Sequence, residues 1–169
     1  MCEVYDKVAR AFGLGYPGGA CVDRLYDARQ AGQYRFRCPR IGLGFSFSGI
    51  KTAVIYKKME LERTGSLTER EKVKILSSFQ ESVVNTLVEN TIAAACQYRI
   101  KTIVCGGGVT ANSRLRFCLK KRAREHKREL YLPQRTYTTD NAAMVAGLVF
   151  YLYNSKKMSG RLNLEAEAN

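Results

Sequence analysis

The amino-acid sequence predicts an α/β fold in one domain. Residues 101–105 and 129–132 form short runs rich in β-branched or apolar side chains, and a segment with helical periodicity lies between them. No Pro/Gly/Ser-rich linker and no internal repeat interrupts the chain. Alternation of strands and helices without a linker is typical of the α/β class.

The first half of the chain is expected to be mainly helical. Apolar residues at helical spacing predict the helices, and glycine or proline residues mark the places where these helices end. The predicted elements are, in order, a helix over 3–12, a tight turn over 16–19, a helix over 20–31, a loop over 33–44, a strand over 45–47 and a helix over 50–61.

The second half contains the best-defined unit of the sequence. Thr68 and Glu71 form a capping box that begins a long helix ending near Tyr98. One stripe of this helix is expected in the core and consists of Ile75, Phe79, Val83, Leu87 and Thr91. The remaining predicted elements are a strand over 101–105, a helix from about 110 to 127, a strand over 129–132, a helix over 142–153 and a frayed polar tail from 154.

Composition and charge narrow the function classes. The 169 residues carry 28 Lys and Arg against 15 Asp and Glu, a formal charge of +13. The composition excludes a disordered, collagen-like or low-complexity chain. No apolar run approaches the roughly 20 residues that cross a bilayer, and no CxxC pair or Cys/His metal spacing occurs. A cytoplasmic protein with free cysteines is therefore expected.

The positive charge is concentrated in one part of the chain. Between residues 114 and 135 the sequence has nine Lys and Arg residues and only two acids, Glu125 and Glu129. Such a segment favours a polyanionic partner, because basic side chains replace the counterions condensed on phosphates. A solvated basic helix face is the alternative, and the charge pattern alone leaves both open.

The junction between strand 101–105 and the next helix suggests a ligand-binding loop. Gly106, Gly107 and Gly108 would let a ligand approach the backbone, and N–H groups at a helix start favour an anion. Tight packing of strand against helix explains the same glycines. Asn112 is placed to reach a nucleoside hydroxyl or base edge, or to cap the helix. The pattern is neither GxGxxG nor a P-loop.

Three aspartates are candidate functional residues. Asp6 and Asp23 flank the turn at 16–19, where paired carboxylates could accept hydrogen bonds from ribose hydroxyls; alternatively, both are surface acids among neighbouring basic residues. Asp140 precedes the last helix and either caps it or binds a cation through oxygen. His126 is the only histidine and lies among cations, so we interpret it as a surface residue.

Taken together, several ordered motifs resemble the TsaD family of tRNA adenosine threonylcarbamoyltransferases. They are EVYDKVAR (3–10), GYPGG (15–19), FSFSGIKTA (45–53), SFQESVV (78–84), GGGVTANSRLR (106–116) and TDNAAM (139–144). The resemblance implies two actin-like lobes of the sugar-kinase, heat-shock protein and actin superfold, which is RNase H-like. It implies that residues 1–153 form the C-terminal lobe, a mixed sheet with flanking helices, and that 154–169 form a polar tail.

The resemblance also implies a reaction and its ligands. The family transfers a threonylcarbamoyl group from threonylcarbamoyl-AMP to the exocyclic amine of the adenosine next to the tRNA anticodon. Asp6, Gly19, Asp23 and Asn112 match substrate-binding positions. Asp140 matches a ligand of one divalent metal ion per subunit, usually assigned as iron. The implied partners are tRNA and TsaB-like and TsaE-like proteins, with no membrane.

The sequence departs from the family pattern in its metal site. The resemblance implies a preceding lobe with a His-x-x-x-His motif, which this sequence lacks, and Thr138 stands where Cys is common. We therefore expect the isolated chain to bind metal weakly and to be inactive unless the other lobe is supplied. No residue has the pattern of a covalent nucleophile. The alternative function is a non-catalytic nucleotide- or RNA-binding or assembly module with the same fold.

Overall fold

The computed structural model describes residues 2–41 and 44–155, and over these residues the chain is mixed α/β but mostly helical. Short 3₁₀ turns occur at Gly108–Ala111 and Arg135–Tyr137. The regular elements are α1 Cys2–Ala11, α2 Gly18–Leu25, β1 Arg40–Ile41, β2 Gly44–Phe45, α3 Ser48–Arg63, α4 Glu69–Gln97, β3 Thr102–Val104, α5 Ser113–Glu125, β4 Glu129–Tyr131 and α6 Ala142–Asn154.

The chain consists of two compact units. The first extends to Thr138 and contains α1 to α5 and all four described strands, and the second begins at Thr139 and contains α6. None of the described helices is both long and apolar enough to cross a membrane.

The first unit has an apolar cluster built by α1, α2, α3 and the first half of α4. In this cluster the centres of the Tyr5 and Phe79 rings lie 4.9 Å apart, and Val8, Val22 and Val54 are fully buried. The predicted stripe of α4 is confirmed at Ile75, Phe79 and Val83, which are all fully buried. Removal of this apolar surface from water is the main force that holds the four helices together.

A second apolar cluster lies along the other half of α4. Val84, Val88 and Ile92 pack there with residues of α5 and β3, including Leu119 and Ile103. Thr68 caps the start of α4 by accepting a hydrogen bond from the Glu71 backbone N–H, as the capping box predicts. The 29 residues of α4 extend roughly 44 Å, so this one helix connects the two clusters.

The strands form two separate pairs. β1 and β2 are antiparallel, whereas β3 and β4 are parallel and are connected through α5, with Ile103 opposite Leu130. The single mixed sheet that we expected is therefore not formed among the described residues. Each strand has only two or three residues and one partner, and side chains such as Val104 and Tyr131 remain exposed.

Two predicted boundaries are wrong for local reasons. The helix expected over 20–31 ends at Leu25, because Tyr26 is extended and the Asp27 carboxylate accepts a hydrogen bond from the Arg29 backbone N–H in a tight turn. The loop expected over 33–44 contains β1, which pairs with β2 just beyond it. The predicted frayed tail falls largely on residues 156–169, which lie outside the described residues.

Candidate substrate-binding site

The start of α2 is fixed tightly against α1. The Gly18 backbone N–H donates a 2.7 Å hydrogen bond to Asp6 Oδ1. A Cβ atom on Gly18 would lie 2.6 Å from Asp6 Cα and 2.7 Å from the Tyr5 carbonyl oxygen, closer than atoms can approach. Only glycine therefore permits this approach of the two helices, and Asp6 is positioned beside the turn as the sequence predicts.

Gly19, the next residue, has the opposite environment. A Cβ atom placed there meets no atom within 4 Å, so the backbone borders open space. Gly19 and Asp23 are four positions apart on α2 and therefore lie on the same face of the helix. The open backbone and the carboxylate thus share one side of α2.

Asp23 connects three helices through its carboxylate. Its Oδ1 accepts hydrogen bonds from Gln80 Nε2 at 2.9 Å and Ser113 Oγ at 2.8 Å, and its Oδ2 accepts one from the Ser113 backbone N–H at 3.0 Å. Gln80 belongs to α4 and Ser113 begins α5. A carboxylate at a helix start is also favoured by the helix dipole. Asp23 therefore holds the α5 start between α2 and α4.

Asn112 belongs to the same hydrogen-bond network. Its Oδ1 accepts a 2.8 Å hydrogen bond from the Leu115 backbone N–H, and its Nδ2 donates a 3.0 Å hydrogen bond to Gln80 Oε1. The capping interpretation of Asn112 is thus confirmed. Gln80 is fully buried and contacts both Asp23 and Asn112, so two predicted substrate-binding residues are joined by one amide.

The glycine loop lies before this network and is exposed. Gly107 has φ +81°, a conformation that favours glycine, and a Cβ atom on Gly106 or Gly107 would meet no atom within 4 Å. The 3₁₀ turn separates the loop from α5. Two N–H groups at the α5 start, those of Ser113 and Leu115, are not available to an anion, because Asp23 and Asn112 accept their hydrogen bonds.

An ion pair beside the network joins α4 to α5. Arg114 donates two 2.8 Å hydrogen bonds to the Glu81 carboxylate, and the Tyr26 hydroxyl donates a third at 2.7 Å. Burial disfavours the charged carboxylate, but these hydrogen bonds and the charge of Arg114 outweigh it and lower the pKa of Glu81. The hydrogen bond to Glu81 raises the pKa of Arg114. Both side chains are therefore charged. Glu81 follows Gln80 and Arg114 follows Ser113 in the sequence, so the ion pair stabilises the two segments that carry the network.

Two cysteines on either side of the α5 start have the character of ordinary thiols. Cys105 precedes the glycine loop, and Cys118 lies on the buried side of α5. Burial raises the pKa of both thiols. Since the thiolate is the nucleophilic form, burial makes both thiols weaker nucleophiles at neutral pH.

Asp140 belongs to the second unit and is exposed. The interpretation of Asp140 as the cap of α6 is wrong. Asn141 caps this helix by accepting a 2.8 Å hydrogen bond from the Met144 backbone N–H. No group of three His, Cys, Asp or Glu residues comes together anywhere in residues 2–41 and 44–155. The described residues therefore do not by themselves fit a metal ion. His126 is exposed, as expected.

The sequence-based reasoning missed the residues at the centre of the network. Gln80 and Ser113 both lie in motifs of the resemblance, but neither is among the predicted site residues. The sequence does contain a signal for Gln80. This polar residue lies one turn after Leu76 and one turn before Val84, and both of these apolar residues are buried. A polar side chain on a buried helix face needs partners. The interpretation of Asp6 and Asp23 as surface acids is wrong, because both are partly buried and accept internal hydrogen bonds.

Comparison with known proteins assigns the family. The family model of TsaD, tRNA N6-adenosine threonylcarbamoyltransferase, matches residues 1–147. The chain belongs to the TsaD family. It is 43% identical over 155 residues to the tRNA N6-adenosine threonylcarbamoyltransferase of Caldicellulosiruptor saccharolyticus, an alignment that covers 88% of this chain and 44% of that protein.

Other relatives carry the same name. The protein of Syntrophomonas wolfei is 40% identical over 162 residues, with 93% of this chain and 46% of the relative covered. The protein of Thermosipho africanus is 39% identical over 170 residues, with 99% and 50% covered. The chain thus spans about half the length of the curated relatives it matches.

Proposed function

We propose that this TsaD-family chain takes part in the transfer of threonylcarbamoyl from threonylcarbamoyl-AMP to the exocyclic amine of the adenosine next to the tRNA anticodon. The observation that carries the proposal is the network around Gln80, which joins Asp23 and Asn112 through 2.9 Å and 3.0 Å hydrogen bonds. A rigid polar network of this kind positions a substrate at little entropic cost at the moment of binding.

The residues of α2 and the α5 start have defined roles in this proposal. Asp6 and Asp23 retain acceptor capacity for ribose hydroxyls, since an ionised carboxylate has about four lone-pair sites. Gly19 borders open space and admits the nucleoside against the backbone. Asn112 orients the adenylate, and the exposed backbone of Gly106, Gly107 and Gly108 approaches its phosphate.

The transfer proceeds by direct attack. The amine nitrogen forms a bond to the carbamoyl carbon, and the bond from that carbon to the phosphate oxygen breaks. The electron pair leaves with AMP, and the amine proton passes to solvent. A covalent acyl-enzyme is not needed for this step. The side chains of this chain supply position and charge rather than a nucleophile.

The remaining family properties are proposed on the resemblance and the family match. Residues 1–153 form an actin-like C-terminal lobe, and 154–169 form its polar tail. The protein acts in the cytoplasm with tRNA and with TsaB-like and TsaE-like partners. Asp140 contributes one ligand to a divalent metal ion, usually iron, and the other ligands come from outside the described residues. No step of the transfer is assigned to that ion.

Adenylate binding tests the site directly. We expect the chain to bind AMP in isothermal titration calorimetry, and Asn112→Ser to weaken binding about tenfold, because serine keeps the helix cap but not the amide. The matched control is Thr68→Ser, which keeps the cap of α4 outside the site. Equal affinity for Asn112→Ser and the parent chain, or no AMP binding by the parent, would contradict the proposal.

Gly19→Ala gives a second, independent measurement. The open space around Gly19 accommodates a methyl group, so the unfolding midpoint should not fall. The same methyl group would obstruct a nucleoside that approaches the backbone, and AMP affinity should therefore decrease. Unchanged affinity in a normally stable Gly19→Ala variant would remove Gly19 from the site.

A further inference from the structure

The outer face of α5 has a composition that the fold does not explain. Phe117, Lys120, Lys121 and Arg124 are spaced three and four residues apart and therefore share one side of the helix. All four are exposed, and the Phe117 ring is 59% exposed. The apolar residues of α5 that pack into the core lie on the opposite side and are Leu115, Cys118, Leu119 and Ala123.

The other basic residues of α5 have structural partners. Arg114 pairs with Glu81 and Arg122 with Glu125, while Arg116 donates hydrogen bonds to the carbonyl oxygens of Thr110 and Pro133. Within the described part of the chain, Lys120, Lys121 and Arg124 form no ion pair. The structure thus uses one set of basic side chains to hold α5 in place and leaves a second set facing solvent.

Phe117 is an aromatic platform held in place by its neighbours. The Arg114 guanidinium lies 5.4 Å from the centre of the Phe117 ring. Arg114 is itself anchored by two hydrogen bonds to Glu81, so the cation–π contact restrains the ring. A large exposed aromatic ring that is restrained by a fixed cation loses little further entropy when it stacks on a ligand.

We propose that the outer face of α5 binds RNA, with Phe117 stacked on an unpaired base and Lys120, Lys121 and Arg124 bound to phosphates beside it. Aromatic platforms flanked by cations are the usual chemistry of single-stranded RNA recognition. A membrane surface fits less well, because the apolar side of α5 is buried in the core rather than free to enter lipid.

The inference rests on the proposed function in taking RNA as the partner, but Phe117, Lys120, Lys121 and Arg124 are not part of the hydrogen-bond network around Gln80. The two proposals therefore fail separately. A parent chain that binds RNA but not AMP would contradict the candidate site alone. A parent chain that binds AMP but not RNA would contradict the α5 surface alone.

The charged part of the surface is tested with the full chain and a fluorescently labelled tRNA transcript, by anisotropy at several salt concentrations. Replacing Lys120, Lys121 and Arg124 together with alanine should weaken binding at least tenfold, on the order expected for three lost phosphate contacts. The slope of log affinity against log salt should also become shallower by about 2. The matched control replaces Arg10, Arg63 and Arg70, which are exposed on α1, α3 and α4, and should retain the parent slope.

The aromatic part is tested with Phe117→Ala, which should weaken binding about tenfold without changing the salt slope. Phe117→Trp should restore affinity, and Tyr56→Ala, at a side chain 67% exposed on α3, is the matched control. Equal effects of the two triple replacements, an unaffected Phe117→Ala, or no tRNA binding by the parent would overturn the proposal. Equally tight binding to phosphatidylserine vesicles, lost in the same variants, would overturn it in favour of a membrane surface.

Discussion

Asp23 and Asp140 belong to two regions that the sequence marks in similar ways but the structure treats differently. Both aspartates lie near glycine- or asparagine-containing segments at the ends of helices, and the resemblance to the TsaD family predicts a functional role for both. Asp23 accepts hydrogen bonds from residues 57 and 90 positions away along the chain. Asp140 is exposed, and the neighbouring Asn141 caps α6.

The difference shows how position in the fold determines what a carboxylate can do. Three helices restrict Asp23 to one orientation, which is what a substrate-binding residue requires. Asp140 is exposed, and no group of three His, Cys, Asp or Glu residues occurs in the part of the chain that the structure describes. A cation bound there would need further ligands, whereas the Asp23 region is already organised.

The largest expected effect tests the rigidity of the Asp23 region. Gly18→Ala places a methyl group 2.6 Å from Asp6 Cα, so α1 and α2 must separate. We expect the free energy of unfolding to fall by about 2–3 kcal/mol, measured by urea denaturation. Gly147→Ala in α6 is the matched control, because its methyl group meets no atom within 4 Å. Similar stability of the two variants would show that the first region is not tightly packed.

The next effect concerns the buried amide. Gln80→Met keeps the volume but removes both hydrogen bonds of Gln80, so that Asp23 and Asn112 each lose a partner. A loss of about 2 kcal/mol of stability is expected. Gln97→Met, at an exposed position of the same helix, should have little effect. An unchanged free energy of unfolding in Gln80→Met would mean that water readily replaces the hydrogen bonds of the amide.

The two aspartates can be compared directly by the same replacement. Asp23→Asn removes the charge and places an N–H group against the donors of Gln80 or Ser113. We expect a loss of about 1–2 kcal/mol in the free energy of unfolding. Asp140→Asn should leave the unfolding curve unchanged, since the side chain is exposed. A destabilised Asp140→Asn variant would reverse the ranking of the two regions.

The smallest expected effect is a pH dependence. Because the folded-state pKa of Glu81 lies below its ordinary value of 4.5, its ion pair with Arg114 stabilises the fold above that pH. This stabilisation is lost as the pH falls from 4.5 through the lower folded-state pKa of Glu81, because the carboxylate is then protonated. Glu81→Gln should therefore cost about 1 kcal/mol at pH 7 and flatten the acid limb of the stability curve. Glu125→Gln, in an exposed pair with Arg122, should change this limb less.

Local patterns account for most of the helices. The capping box at Thr68, the α4 stripe at Ile75, Phe79 and Val83 and the Asn112 cap all depend on short-range spacing along the helix, and all are observed. The end of α2 and the pairing of β1 with β2 were missed. The Asp27 backbone N–H donates to Ser77 Oγ, 50 positions away, a contact that no local pattern contains.

The candidate site also has one part that the sequence predicts and another part that depends on long-range packing. The TsaD resemblance predicts Asp6, Gly19, Asp23 and Asn112 as substrate-binding residues, and the family match confirms the family. The convergence of Asp23 and Asn112 on Gln80 depends on how α2 and α5 pack against α4. Such packing is decided by the apolar surfaces of whole helices, which a motif of a few residues does not describe.

The sequence by itself determined the mixed α/β class, the helices with strong caps, the family and the concentration of positive charge between residues 114 and 135. The tertiary structure decided which of those charges are used internally and which face solvent. Arg114 and Arg116 are held by partners on other elements, while Lys120, Lys121 and Arg124 are exposed. The physical reason is that helical periodicity sorts residues onto faces, but only packing determines which face is buried.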